Sequence, residues 1–178
     1  MKQILFVLGL VVLISGIFTS CKPDALDALR EDEIVALDKY VKDNNLTDKK
    51  DASGIYFKDI VIGTGDTIMS GYKVMLNFNI TLMDGTVVFT TEDDYGHNYE
   101  EYSFYVDVNN DIVNQQYVQQ IAGLHSGLKK MRIGGRAFMV IPSELAFKAV
   151  DNSSLGIPRF STLLATVYAK KGYSPEEQ

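Results

Sequence analysis

The chain of 178 residues has one cysteine, Cys21, and two histidines, His97 and His125. A single thiol cannot close an intramolecular disulfide, and a Cys-rich zinc site or a His-based constellation lacks the ligands to form. Positive charge is also scarce. With 17 Lys+Arg against 23 Asp+Glu the formal net charge is −6 and the pI near 4.9, so the surface repels phosphate backbones and no nucleic-acid partner is expected. Lys129, Lys130, Arg132 and Arg136 make a small basic patch that reads as a solvated face. What is present is 46% apolar and 22% charged side chains, enough to bury a core, which excludes wholesale disorder and low-complexity fibres. The length fits one domain and an extra segment.

The first twenty residues account for part of the extra length. Lys2 opens the chain, Ile4–Ile14 is uninterruptedly apolar, and Ser15, Gly16, Thr19 and Ser20 are small or polar. This is a signal-peptide layout; the apolar stretch is short of the roughly 20 residues a membrane-spanning helix needs and has no positive stop-transfer flank. Phe18-Thr19-Ser20-Cys21 resembles a bacterial lipobox, with Phe18 where Leu is usual. The resemblance implies diacylation of Cys21, a membrane partner through that lipid, and a place in the bacterial cell envelope, periplasmic or outer-membrane facing. The alternative is an ordinary secretory peptide with an incidental cysteine. The lipoprotein reading leaves a mature chain of Cys21–Gln178, with a charge of −7 once Lys2 is lost.

Four segments follow from the pattern: a lipoprotein signal peptide over 1–20, an acidic helix and linker over 21–52, a folded domain over 53–172 and a tail over 173–178. In Asp24–Asn45, Leu26, Leu29, Ile34, Leu37 and Val41 recur near the helical period. Acidic residues (Asp24, Asp27, Glu31, Asp32, Glu33) crowd its start and Lys39 and Lys42 its end, complementing the helix dipole. The apolar face is expected to dock on the domain. Thr47–Ser53 is polar and reads as a linker.

Beyond it, Ile55–Ile62, Lys73–Leu82, Val87–Thr91, Tyr102–Val108, Arg136–Ile141 and Thr162–Ala169 are rich in β-branched and aromatic residues and predict strands. Val113, Tyr117, Ile121, Leu124 and Leu128 repeat at helical spacing, so helix is predicted over at least Ala122–Leu128, with an earlier start open. The class is α+β, an antiparallel sheet with helical cover on one face.

Five motifs then appear in order: Gly63-Thr-Gly65-Asp66; Leu82-Met-Asp84-Gly85-Thr-Val; Ile121-Ala-Gly123-Leu with Gly127, Met131 and Gly134; Ile141-Pro142-Ser-Glu144-Leu145-Ala146-Phe147; and Gly156-Ile157-Pro158 with Ser161-Thr162-Leu163. Together, over roughly Ser53 to Ala169, they resemble the FKBP-type peptidyl-prolyl cis-trans isomerases, and the layout with a lipid signal and acidic helix is similar to a class of small bacterial envelope lipoproteins. The resemblance implies a curved antiparallel sheet wrapping a short helix, a ligand pocket between them, proline-containing polypeptides as partners, and no cofactor or metal. Rotating an Xaa-Pro amide faces a barrier of roughly 18–20 kcal/mol. A dry apolar cavity lowers it by stripping water from the amide and favouring the twisted form, so no nucleophile is needed.

Carried over by position, the site comprises Phe78, Val88, Phe89, Tyr102, Phe104, Ile121, Leu124, Phe147 and Ile157. Several positions depart from the family pattern. Leu124 stands for the usual Trp, Phe78 and Phe147 for tyrosines, Lys148 for a Gly, and Ala165 for the aromatic residue of the last strand. In the Asp-Gly-x-x-Phe-Asp stretch, either Val88 and Phe89 replace Phe and Asp, or a one-residue shift puts Phe89 on the Phe and Thr90 on the Asp. Such a pocket is apolar with few polar tips, and reduced isomerase activity is expected. The insertion Asp107–Gln120 reads as a lid or peptide-binding edge, with Tyr117 over the pocket mouth, or as a solvated excursion. It is no calcium loop, since Ile112 takes the required Gly and Val118 the required Glu. Glu92, Asp93, Asp94, His97, Glu100 and Glu101 read as a solvated acidic loop. Three functions stay open: a membrane-tethered foldase, a non-catalytic binding or chaperone module, and a structural assembly lipoprotein.

Overall fold

The computed structural model describes residues 24–92, 101–109 and 116–178. Cys21, the signal segment, Val113, His97 and most of the acidic loop lie outside the described residues. Helix α1 (Ala25–Asp43) is followed by strands β1 (Tyr56–Val61), β2 (Lys73–Leu82), β3 (Val87–Thr90) and β4 (Tyr102–Tyr105), then helix α2 (Ala122–Leu128), β5 (Arg136–Ile141) and β6 (Leu163–Tyr173). The strands form one antiparallel sheet in the order β1-β5-β6-β2-β3. β4 shares the β3 edge of β2, with Tyr102 opposite Leu76 and Phe104 opposite Val74.

Alternation in β2, β5 and β6 sends Val74, Leu76, Phe78 and Ile80, Ala137, Met139 and Ile141, and Leu163, Ala165, Val167 and Ala169 to one face, all buried. This face is covered by α2, whose Gly123 and Gly127 let the helix backbone approach closely. A Cβ on Gly123 would lie 2.3 Å from Ile141 Cγ2. Leu124 and Leu128 complete the buried side of α2.

The opposite face is covered as well, over β1, β5 and β6, which corrects the expectation of helical cover on one face. Leu37, Tyr40, Val41 and Leu46 of the N-terminal segment pack with Val140, Phe138, Tyr56 and Leu164. The docking face of α1 also differs from the expected stripe. Leu26, Leu29 and Ile34 are exposed, whereas Glu33 is buried beside the stripe of Leu37 and Val41. Residues 33, 37 and 41 recur every four positions and therefore share one side of a helix. Glu33 thus holds a tertiary contact in place of the dipole role expected of it.

Two strand ends moved, and the helix start left open is settled. β4 stops at Tyr105 because Asp107 is left-handed (φ 53°) and Val106 bonds instead with Tyr72 and Gly71, turning the chain out of the sheet. β6 continues to Tyr173 because it pairs with β2 along its whole length, through a bulge at Met75/Leu76. α2 does not begin early: Tyr117–Gln120 is a separate 3-10 turn, and Ile121 is extended (ψ 95°), its side chain turned into the core. The expected linker is ordered, with a 3-10 turn at Thr47–Lys49 and an Asp51 carboxylate accepting from the Ser53 and Gly54 amides. Of the basic patch, Lys129 pairs with Asp107 (2.7 Å), Lys130 with Asp51 (2.7 Å), and Arg132 donates to the Gly65 carbonyl.

Candidate functional site

The predicted site residues belong to one hydrophobic cluster, and they separate by depth. Phe104, Ile121, Leu124 and Ile157 are sealed in the core at 0–1% exposure. Phe78 and Phe147 are nearly as buried, while Val88, Phe89 and Tyr102 reach the surface. An open depression of about 470 Å³ lies over this edge, lined by Phe78, Val88, Phe89, Tyr102 and Val118 with Thr90, Thr91 and Glu101 at its polar side. The hollow is therefore shallow: of the expected site residues Phe78, Val88, Phe89 and Tyr102 line it, whereas Phe104, Ile121, Leu124 and Ile157 are buried and do not.

The β2–β3 pairing bears on which residue occupies the family's Phe position. A bulge at Ile80/Thr81 pairs Phe89 with Ile80 and Val87 with Thr81, leaving Val88 unpaired. Opposite residues in a ladder point to the same face, so Phe89 shares the inner face of Ile80 and Phe78. Its ring lies 6.3 Å from that of Phe147, which joins the β3 edge to the β5–β6 loop. Phe89, not Val88, is therefore the inward-facing residue of β3. Ala165, opposite Ile80 and Met139, is fully buried and adds no wall.

The rings are fixed by packing. Phe78 and Tyr102 meet edge to face at 5.4 Å and 73°, and Phe104 stacks obliquely against His125 at 4.7 Å. His125 is held by the Asp107 amide, which donates to Nδ1 (2.9 Å), and by the Gln119 carbonyl 2.8 Å from Nε2, a pattern that fits the neutral Nε2–H tautomer. The polar groups are few. Tyr102 retains a phenol, which donates to the Gln116 side-chain carbonyl. Burial pushes that phenol above its ordinary pKa, against a smaller opposing effect of a hydrogen bond with Gln119. Thr91 Oγ1 accepts from the Phe78 amide at 2.9 Å. Among the described residues no group of three potential metal ligands occurs.

Sequence reasoning missed Val118, Thr91 and the glutamines. Gln119 is buried and acts as a substitute strand for β4: its side-chain carbonyl accepts from the Tyr105 amide and its amide donates to the Ser103 carbonyl, each at 3.3 Å. The only sequence signal was the polar pairs flanking Tyr117-Val118. Tyr117 itself lies across a neighbouring groove of about 540 Å³, with Leu145, Ala146, Phe147, Lys148 and Val150.

A six-stranded antiparallel sheet folded over a short helix, with an aromatic-walled depression whose polar side is Thr90, Thr91 and Glu101, defines an α+β class with an apolar binding hollow at the sheet edge. The sequence profile described as FKBP-type peptidyl-prolyl cis-trans isomerase matches residues 65–168, and the chain belongs to that family. Solved structures agree on the fold. FkpA from Escherichia coli superposes with a TM-score of 0.66 at 24% identity, covering 84% of this chain. This chain spans 63% of the length of FkpA. A peptidyl-prolyl cis-trans isomerase from Pseudomonas syringae gives 0.66 at 20% identity, covering 86% of this chain and 99% of its own. The N-terminal domain of FKBP42 from Arabidopsis thaliana gives 0.56 at 19%, covering 67% and 87%. No curated protein sequence matches the chain.

Proposed function

We propose that this protein is a membrane-anchored envelope foldase that binds Xaa-Pro segments of exported proteins and isomerises them, at a reduced rate. The observation that carries this reading is the open depression walled by Phe78, Val88, Phe89 and Tyr102 in a chain of the FKBP family. An apolar concavity of that size accepts a proline ring, and transferring the flanking amide from water to it favours the less polar twisted form. The rate is reduced because the tyrosine hydroxyls usual at Phe78 and Phe147 are missing, each loss worth about 1–3 kcal/mol where the donor served the transition state. A prolyl-peptide isomerisation assay on protein beginning after Cys21 tests it: acceleration over the uncatalysed rate is expected, and none at all removes the catalytic reading.

The anchor rests on the lipobox-like Phe18–Cys21 and the preceding apolar run. No described helix is long and apolar enough to cross a membrane. Fatty-acid labelling should incorporate lipid into the natural chain and not into Cys21→Ala; equal incorporation removes the tether. A second reading, a non-catalytic proline-binding or chaperone module, is favoured by one observation: Ile121, Leu124, Ile157 and Phe104 do not reach solvent, so a bound amide would meet walls without a floor. Binding of proline peptides without acceleration identifies that case.

A further inference from the structure

The loop from Pro142 to Thr162 carries the core residue Ile157 and Phe147, whose ring backs Phe89 of the depression wall at 6.3 Å. Its backbone is strained. Lys148 and Phe160 both sit in the left-handed region (φ 56° and 53°) although neither is glycine, and the Phe160 amide donates to the Lys148 carbonyl at 2.8 Å. Such residues persist only where the surroundings over-determine them.

The surroundings here include a residue of α1 more than a hundred positions away. Glu33 Oε1 accepts from the Ser143 amide (2.8 Å) and from Thr162 Oγ1 (2.8 Å), while Oε2 accepts from Ser143 Oγ (2.5 Å). Ser143 and Thr162 are the two feet of the loop. They are 0% and 2% exposed and Glu33 8%, so the bonds are shielded from water. From Ser143 the order passes directly to the site: its carbonyl accepts from the Ala146 and Lys148 amides (2.9 and 2.8 Å), fixing the turn that presents Phe147 to Phe89. Arg30, one turn before Glu33, adds an exposed ion pair to Glu144 at 2.8 Å.

We infer that Glu33 is a positioning residue for the proline site: its carboxylate holds both feet of the Pro142–Thr162 loop and thereby sets the placement of Phe147, so that the N-terminal helix is part of the binding apparatus. This rests on the foldase reading for its consequence, though not for its geometry. A buried carboxylate without three matched donors would destabilise the helix contact, and removing it leaves Ser143 and Thr162 with buried, unpaired donors. The effect therefore falls on the loop.

The test uses the full chain in detergent, with Glu33→Gln and Glu33→Ala. Hydrogen exchange is read in segments covering 143–162 and, as an internal reference, β2. Prolyl-peptide isomerisation is measured on the same samples. Exchange over 143–162 should rise about tenfold in Glu33→Ala, less in Glu33→Gln, which keeps one carbonyl acceptor, with β2 unchanged. The isomerisation rate should fall in the same order. Unchanged loop exchange, or an equal rise across β2, overturns the inference, as does a loosened loop with an undiminished rate. Should the natural chain itself show no isomerisation, the foldase reading fails, and the exchange arm alone decides whether Glu33 holds the loop.

Discussion

Gly123→Ala is expected to destabilise the protein although alanine is the better helix former. The added methyl would lie 2.3 Å from Ile141 Cγ2, 3.1 Å from Cγ1 and 3.2 Å from Cβ. These atoms belong to a fully buried β-branched side chain on β5, stiff about χ1, so they cannot swing aside. Relief requires α2 to move off the sheet, carrying Ile121 and Leu124 with it. Forcing a methylene into a packed core costs about 1–3 kcal/mol, and the propensity gain from Gly to Ala is at most about 1 kcal/mol, less in a first turn. The net loss is about 1–2 kcal/mol. Gly127→Ala supplies the contrast: its methyl meets Met139 Sδ at 2.3 Å and Cε at 2.7 Å, the far end of a flexible side chain that can rotate away. That substitution should fall within about 1 kcal/mol of the natural chain. Ile141→Ala alone should cost about 2–5 kcal/mol, yet combined with Gly123→Ala the losses should sum to less than their total, because the new methyl occupies space the isoleucine vacated. Urea unfolding followed by circular dichroism reads all four midpoints at constant m. Gly127→Ala proving the more damaging glycine substitution, or strict additivity of the pair, would refute the close-contact argument.

Tyr102→Phe removes the phenol beside the depression and should lower the isomerisation rate about five- to tenfold while changing the unfolding midpoint little; an unchanged rate would show the hydroxyl to be a bystander. Leu124→Trp should raise the rate by restoring an aromatic surface beneath the walls, and should cost about 1–3 kcal/mol of stability because Leu124 is fully packed. An unaltered rate would count against Leu124 as part of the site. For pH, burial disfavours ionisation of Asp51 and Asp107, but the bonds from Lys130 and Ser53 to the first and from Lys129 and Ser70 to the second outweigh it and hold both below the ordinary carboxylate value. A folded-state pKa below the unfolded one, near 3.9, means that their stabilisation is complete above that pH and is lost as pH falls through it. Acid titration of stability should steepen below about pH 4, and Asp51→Asn should flatten that limb; identical slopes would dismiss the assignment.

Lys73–Leu82, Arg136–Ile141 and Ala122–Leu128 could be read from sequence because each is a strong pattern closed by a turn signal, and hydrophobic period alone fixes them. Strand ends could not be, since β4 ends on the left-handed Asp107 and β6 runs on because its partner does. The docking of α1 was legible as an event but not as a face. An acidic residue within Glu31-Asp32-Glu33 carries no mark that separates it from its neighbours; only a loop 110 residues away supplies the Ser143 donors that make burial of Glu33 tolerable.

The site shows the same division between kind and depth. Residue type and family order singled out Phe78, Phe89, Tyr102 and Phe147, but an isomerase pocket and a protein core ask for the same side chains. Whether such a residue becomes wall or interior depends on what lies above it. The β3 pairing turns Phe89 inward toward Phe147, and Val118 of the Tyr117–Gln120 turn lines the depression, while Ile121 and Leu124 stay buried. Both devices are backbone features, a bulge in the β2–β3 hairpin and a 3-10 turn closed by the Gln119 amide on the Gln116 carbonyl, and neither alters the apolar period that a sequence displays. A shallow pocket strips less water from a bound amide than a deep one, and each 1.4 kcal/mol of lost desolvation is about tenfold in rate. On the foldase reading, the shallowness of the depression, as much as the missing hydroxyls, therefore lowers the rate.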